Sequence, residues 1–165
     1  MGKTIVVYGS STGTCEEIAG KIAAALGAET ANAGDIDRET LEGCDNILLG
    51  SSTWGVGELQ DDWYGALDVV KGCDLSGKAA AVFGCGDSSS YPDTFCNAMK
   101  ELYDAAAGAG AVMVGQTATE GYTFDDSEAV VDGRFVGLPI DNDGEGDKTD
   151  ERIGAWIEAI RPHLR

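Results

Sequence analysis

The sequence predicts an open α/β fold in which a parallel sheet is covered by helices on both faces. Short runs that are apolar at every residue alternate with longer stretches of helical period, and a strand needs no polar side when both its faces are buried. Pairs of such runs are separated by enough chain for a crossover helix, which gives βαβ units rather than hairpins. With 165 residues, the chain is far shorter than an eightfold βα barrel and fits one domain over residues 1–165.

Ile5, Val6 and Val7 centre the first strand, residues 4–8. Ile18, Ile22 and Leu26 then recur every four residues and predict the first helix. Residues 28–32 are a weaker strand candidate. Ile47, Leu48 and Leu49 mark the third strand, residues 46–49, and residues 61–70 read as a helix. Ala79 to Phe83 is the fourth strand, and Met99, Leu102, Tyr103 and Ala106 give the helix that follows Pro92 and Asp93. Val112, Met113 and Val114 begin a fifth strand. Residues 116–134 are polar and turn-rich, too long for a structureless loop in a compact domain, so they read as an inserted lobe that interrupts this strand. It resumes in the apolar run 135–140, where Pro139 requires an edge position. Residues 141–151 hold six carboxylates against Lys148 and read as a solvated connection. Ile153, Trp156, Ile157, Ile160 and Leu164 form the inner stripe of a last helix with Thr149 as its expected N-cap, which places Trp156 in the core.

Eleven Lys and Arg against 29 Asp and Glu leave a formal charge of -18. That field repels phosphate backbones and anionic lipid, so neither nucleic acid nor a membrane is an expected partner, whereas a basic protein surface is attracted in a salt-sensitive way. No apolar run approaches the roughly 20 residues of a membrane span, and the start at Met1 lacks a signal-peptide pattern, so a cytoplasmic protein is expected. Cys15, Cys44, Cys73, Cys85 and Cys96 are odd in number and include no CxxC pair, which indicates neither a disulfide framework nor a zinc site; most read as small buried hydrophobes. The single histidine, His163, removes the commonest general base. Chemistry, if present, comes from a cofactor.

Three turns carry that possibility. Gly9, Ser10, Ser11, Thr12, Gly13, Thr14, Cys15 and Glu16 lead from the first strand into the first helix, and such a hydroxyl-rich turn at a helix N-terminus suits an anion. It lacks the Gly-Lys-Ser/Thr ending that meets nucleoside triphosphates and the GxGxxG spacing of dinucleotide folds, so one terminal phosphate monoester fits best. Structural capping by the same hydroxyls is the competing reading. The second turn is residues 51–58, with Ser52, Thr53, Trp54 and Gly55; the third is residues 84–92, with Cys85, Gly86, Asp87 and Tyr91. Loops leaving neighbouring strands at their carboxyl ends form the ligand crevice of an open α/β sheet. Trp54 and Tyr91 could there sandwich a planar ring, burying roughly 150 Å² or more apiece, although each could also be a core or surface anchor.

These residues resemble the flavodoxins: the Ser10 to Glu16 turn, Ser52-Thr53-Trp54-Gly55, Phe83-Gly84-Cys85-Gly86-Asp87 and Tyr91. The later segments 120–122, 127–137 and 148–152 resemble the long-chain members, whose insertion splits the fifth strand. The resemblance covers nearly the whole chain and implies a flavodoxin-like, doubly wound, five-stranded parallel sheet in the order 2-1-3-4-5. It implies noncovalent FMN held by Ser10, Ser11, Thr12, Gly13, Thr14, Cys15, Ser52, Thr53, Trp54, Gly55, Cys85, Gly86, Asp87, Tyr91 and Cys96, with Cys96 either touching the ring or packing beside it. It further implies a low-potential one-electron carrier cycling between semiquinone and hydroquinone, a monomer that shuttles electrons between redox proteins with basic surfaces and has no catalytic or metal-binding residues of its own.

Two positions depart from the family pattern. Thr14-Cys15 stands where Asn-Thr is common, so Cys15 offers phosphate its backbone N–H and no hydroxyl. Val56 replaces a frequent acid after the Trp-Gly pair. By resemblance the Gly55–Val56 peptide turns over to serve flavin N5, a motion that glycine permits at little cost. Two other functions are found on similar folds. A quinone reductase needs an open face over the ring, which Trp54 and Tyr91 would cover. A phosphoacceptor domain needs an acidic cluster after the first strand, an Asp ending the third and a Lys after the fifth, and Tyr8-Gly9-Ser10, Gly50-Ser51 and residues 136–140 supply none of them.

Overall fold

The computed structural model describes residues 2–9, 14–54, 58–59, 63–86, 96–119, 122, 127, 129–141 and 148–164. In chain order the elements are β1 (Thr4–Gly9), α1 (Thr14–Leu26), β2 (Glu29–Asn32), α2 (Arg38–Glu42), β3 (Asn46–Trp54), β4 (Glu58–Leu59), α3 (Trp63–Gly72), β5 (Ala79–Gly86), α4 (Ala98–Gly108), β6 (Val112–Met113), β7 (Thr117–Ala118), β8 (Val130–Val131), β9 (Arg134–Phe135), β10 (Leu138–Asp141) and α5 (Thr149–Ile160). Short 3-10 turns cover Ala33–Asp35 and Arg161–His163.

The main sheet runs β10-β5-β3-β1-β2, with every pair along it parallel. β6 pairs in parallel with the amino half of β5, at Ala79 and Ala80, whereas β10 pairs with its carboxyl half, from Phe83 to Gly86. The fifth strand position is thus filled in two pieces, and the parallel order is the expected 2-1-3-4-5. The intervening chain forms its own antiparallel sheet, β7-β9-β8. Two-residue strands leave no readable alternation, which is why the sequence shows this lobe only as polar chain.

Alternation explains the apolar runs. Ile5, Val7, Ile47, Leu49, Ala80 and Val82 point to one face, against Leu41, Trp63, Val70, Met99 and Leu102 of α2, α3 and α4. Val6, Leu48, Ala81, Phe83 and Cys85 point to the other, against Cys15, Ile18 and Ile22 of α1 and Ile153, Trp156 and Ile157 of α5. Both faces are dry, so neither strand face can be polar. Trp156 is buried as expected and its indole N–H donates to the Gly115 carbonyl at 2.8 Å. Gly27, at φ 66°, closes α1 in the left-handed region, and the Ala28 N–H reaches back to the Ala23 carbonyl at 2.9 Å.

Three expectations are corrected, and one element is added. β3 continues through Ser51 to Trp54, so the hydroxyl run there is strand rather than turn; it is polar because its last residues pair with β4, Thr53 opposite Leu59 and Trp54 opposite Glu58, at the end of the sheet. Thr149 is the first residue of α5, not its cap, because Lys148 already holds helical backbone angles. Asp141 is not the start of a solvated connection but the last residue of β10, 1% exposed. The chain between β2 and β3 contains α2, one turn capped by the Asp37 carboxylate, which accepts from the Thr40 N–H at 2.7 Å. Among the described residues no helix is long and apolar enough to cross a membrane.

Candidate functional site

Because the strands of the main sheet are parallel, their carboxyl ends share one edge. There β1 ends at Gly9, β3 at Trp54, β5 at Gly86 and β10 at Asp141. The chain leaves β1 through α1 to β2 on one side, while β3 lies on the other side. That reversal opens a crevice beyond the ends of β1 and β3, the place where open α/β sheets take ligands. Of the segments singled out in the sequence, residues 52–54 end β3 and residues 85–86 end β5 at this edge, and β1 reaches Gly9 before α1 starts at Thr14.

The helix N-terminus is built by the sequence. α1 begins at Thr14, five residues after Gly9, and its first turn carries Glu16 and Glu17. Unpaired N–H groups of a first turn, together with the helix dipole, favour negative charge there. Cys15 starts the inner stripe that continues through Ile18, Ala19, Ile22, Ala23 and Leu26, and its side chain has no solvent exposure. Its sulfur therefore belongs to the core, and toward the crevice the residue can offer only its backbone. Glu16 turns outward, and its carboxylate accepts from the Tyr8 hydroxyl at 3.3 Å.

At the far side of the crevice, Cys85 lies in register between Ser52 of β3 and Ile140 of β10. Cys85 is 6% exposed and lies in the same core layer as Cys15. The nearby Cys85, followed by burial, pushes the Cys15 thiol well above its ordinary range, while the backbone of Gly9 pulls weakly the other way. Cys96 is fully buried in the left-handed region, at φ 53°. Burial, followed by the nearby Cys85, pushes its thiol well up, and the backbone of Ile140 pulls the other way. Cys96 thus sits beside β10, on the opposite core face from Cys15 and Cys85.

Of the residues expected from the sequence, Cys15, Cys85 and Cys96 are placed in full, and Thr14, Ser52, Thr53, Trp54 and Gly86 through their backbone at the sheet's carboxyl edge. Ser10, Ser11, Thr12, Gly13, Gly55, Asp87 and Tyr91 lie outside the described residues. The reading of the sequence missed Asp141, a buried carboxylate in register with Gly86 at the same edge; its signal was the apolar run immediately before it. It also missed that Cys15 and Cys85 share one core layer, for which 70 residues of separation gave no cue. Among the described residues no group of three or more His, Cys, Asp or Glu could hold a metal ion.

Comparison with known proteins identifies the family. The family model of the flavodoxins matches residues 6–156. A flavodoxin of Picosynechococcus is 41% identical over 166 residues, covering 98% of each chain. Flavodoxin 1 of Azotobacter vinelandii is also 41% identical, over 98% of this chain and 97% of its own. Among solved structures, the Fusobacterium nucleatum flavodoxin bound to flavin mononucleotide superposes with a TM-score of 0.94 at 28% identity, covering 100% of both chains. Sequence along the full length and topology down to the divided fifth strand lead to one conclusion: this chain belongs to the flavodoxin family.

Proposed function

We propose that the protein is a one-electron carrier that holds FMN noncovalently in the crevice beyond β1, β3 and β5. The observation that carries this reading is the convergence, at one sheet edge, of a helix N-terminus preceded by a hydroxyl-rich turn and of two strands that end in the Trp54 and Cys85 segments. The full-length likeness to an FMN-bound flavodoxin supports the same ligand. The residues fit it. The anion-seeking first turn of α1 suits one phosphate, with Ser10, Ser11, Thr12, Gly13 and Thr14 as donors and Cys15 contributing its N–H. Ser52, Thr53, Trp54, Gly55, Cys85, Gly86, Asp87 and Tyr91 hold the ring, and Trp54 and Tyr91 exclude water from it.

When bound, the flavin supplies the reversible redox chemistry, and the chain supplies position and field. No acid–base pair is required, so the protein is a carrier rather than an enzyme. Cys96, buried against the far core face, packs beneath the β10 edge rather than on the ring. The formal charge of -18 favours brief encounters with reductases and oxidoreductases that present basic surfaces. We read the chain as one cytoplasmic, monomeric domain over residues 1–165.

Anaerobic titration of the purified protein with a one-electron reductant tests the function. A yellow sample that turns blue before bleaching is the expected result. A sample that bleaches directly transfers electrons in pairs and overturns the carrier reading.

A further inference from the structure

We propose that the cleft between the inserted β7-β9-β8 lobe and α5 is a second binding site, for a small aromatic carboxylate. Two adjoining cavities, of about 290 and 460 Å³, lie along this seam and share Gln116, Arg134 and Ala159. The smaller has an apolar floor of Leu138, Ala155, Trp156 and Ala159, and is lined by Arg134 from the lobe and Arg152 from α5. It stands beside β10, two strands away from β3, and its described lining contains none of the residues proposed to hold flavin.

Charge sets this cleft apart. The chain carries -18 formally, yet no Asp or Glu is among the described residues lining either cavity, and His163 adds a third basic side chain at the larger one. Four of the five arginines follow residue 133. Arg134 takes part in none of the ion pairs found among the described residues. Its Nη2 donates to the Gln116 carbonyl at 3.2 Å, which fixes the group at the seam and uses one of its five N–H donors. Arg152 is held by Tyr122, with its guanidinium carbon 3.8 Å from the ring centroid. That ring meets Phe135 edge-on at 5.2 Å, and its hydroxyl donates to the Pro139 carbonyl at 2.9 Å.

Both guanidinium groups are therefore positioned before any ligand arrives, which lowers the cost of ordering them on binding. An apolar floor with a few fixed polar groups is the usual build of a small-molecule site, and a planar guanidinium fork matches a carboxylate in two parallel hydrogen bonds. The overall field repels anions, so a single charge is favoured over a phosphate dianion, and recognition comes from contact inside the cleft.

The test titrates the full-length protein, with FMN in excess, with benzoate and separately with uncharged benzamide, and follows the backbone amide resonances. Benzoate should give saturable shifts centred on Gln116, Thr117, Ala155 and Ala159. It should bind about tenfold or more tighter than benzamide, the scale of one charge-assisted hydrogen bond. Arg134→Gln should remove most of that difference, Arg134→Lys less of it, and Arg38→Gln, on α2, none. If Arg134→Gln does not fold, the comparison of acid and amide on the unmutated protein decides alone. Equal affinity for the two probes, shifts that do not saturate, or shifts centred elsewhere overturn the site and leave the arginines as staples between the lobe and α5. Release of flavin by benzoate places the probe in the crevice and overturns it as well. The site does not rest on the FMN reading: failure to take up FMN counts against the proposed function and leaves the shift map to decide the cleft.

Discussion

Gly50 of β3 and Phe83 of β5 are register partners, and the Phe83 ring fills the space that a side chain at position 50 would need. The ring is fully buried and meets Trp156 of α5 edge-on at 6.4 Å between centroids. On the opposite core face, the Gly50 carbonyl accepts from the Trp63 indole N–H at 2.8 Å. One glycine in the central strand therefore sets how both helical layers seat on the sheet. Gly50→Ala is expected to destabilise the fold by about 1–3 kcal/mol, the usual cost of overpacking a dense core. Urea unfolding checks this through a lower midpoint at unchanged slope; an unchanged midpoint would mean that Phe83 moves aside freely.

Strands β1, β3, β5 and β10 and four of the five helices were legible because burial on both faces writes a continuous apolar run, and burial on one helix face writes a period near four. The α2 helix was not legible. It is one turn in which Leu41 is the sole buried residue, and one apolar position has no period. The divided fifth strand was readable from Pro139 and from the polar gap before it, but the β7-β9-β8 sheet was not. At the site, the second of the three expected turns is strand through Trp54, and residues 10–13, 55–57 and 87–92 lie outside the described residues. The inward direction of Cys15 could have been read three residues ahead of Ile18, had the helix been started at Thr14. Its sharing a core layer with Cys85 depends on α1 crossing the sheet, which only the fold determines.

The α2 turn makes a pH-dependent contribution. Hydrogen bonds from Thr40 hold the Asp37 carboxyl below its ordinary range. Glu42 is held down first by the Asp74 N–H, at 2.8 Å, and then by Arg38, whose Nε lies 2.8 Å from its carboxylate. Since both folded values are lowered, the stabilisation is present above the ordinary carboxylate range, about pH 4. It is lost as pH falls through the lowered values. Asp37→Asn combined with Glu42→Gln should therefore be less stable than the unmutated protein near neutral pH, and the gap should close in acid. Urea midpoints compared across this range check it, and a gap of constant size would contradict the assignment.

Net repulsion gives a third expectation. The ion pairs Lys21–Asp150, Arg38–Glu42 and Lys100–Asp104 are mostly exposed, and such pairs contribute about 0–1 kcal/mol each. Among the described residues they are few against a formal charge of -18. Salt weakens the pairs and the repulsion together, and the repulsion is the larger sum. The unfolding temperature should rise as sodium chloride is raised at neutral pH. A fall would show that local pairs outweigh the overall field.

Charge near the cofactor yields the last expectation. Asp61 and Asp62 follow the segment proposed to hold the flavin ring and immediately precede α3, which starts at Trp63. A carboxylate about 10 Å from an added electron, at an effective dielectric of about 20, raises the energy of the reduced state by roughly 1.7 kcal/mol, or about 70 mV. Salt reduces this, and exclusion of water increases it. Asp61→Asn and Asp62→Asn each remove one such charge while keeping shape. The second, more negative potential should become less negative in each variant, by tens of millivolts, and the double variant should approach the sum. Because the groups act through space, the shift should shrink as ionic strength rises. Spectroelectrochemical titration at two salt concentrations separates this from a structural effect, which would persist at high salt. A potential unmoved by both substitutions would remove these two carboxylates from the account of the low potential.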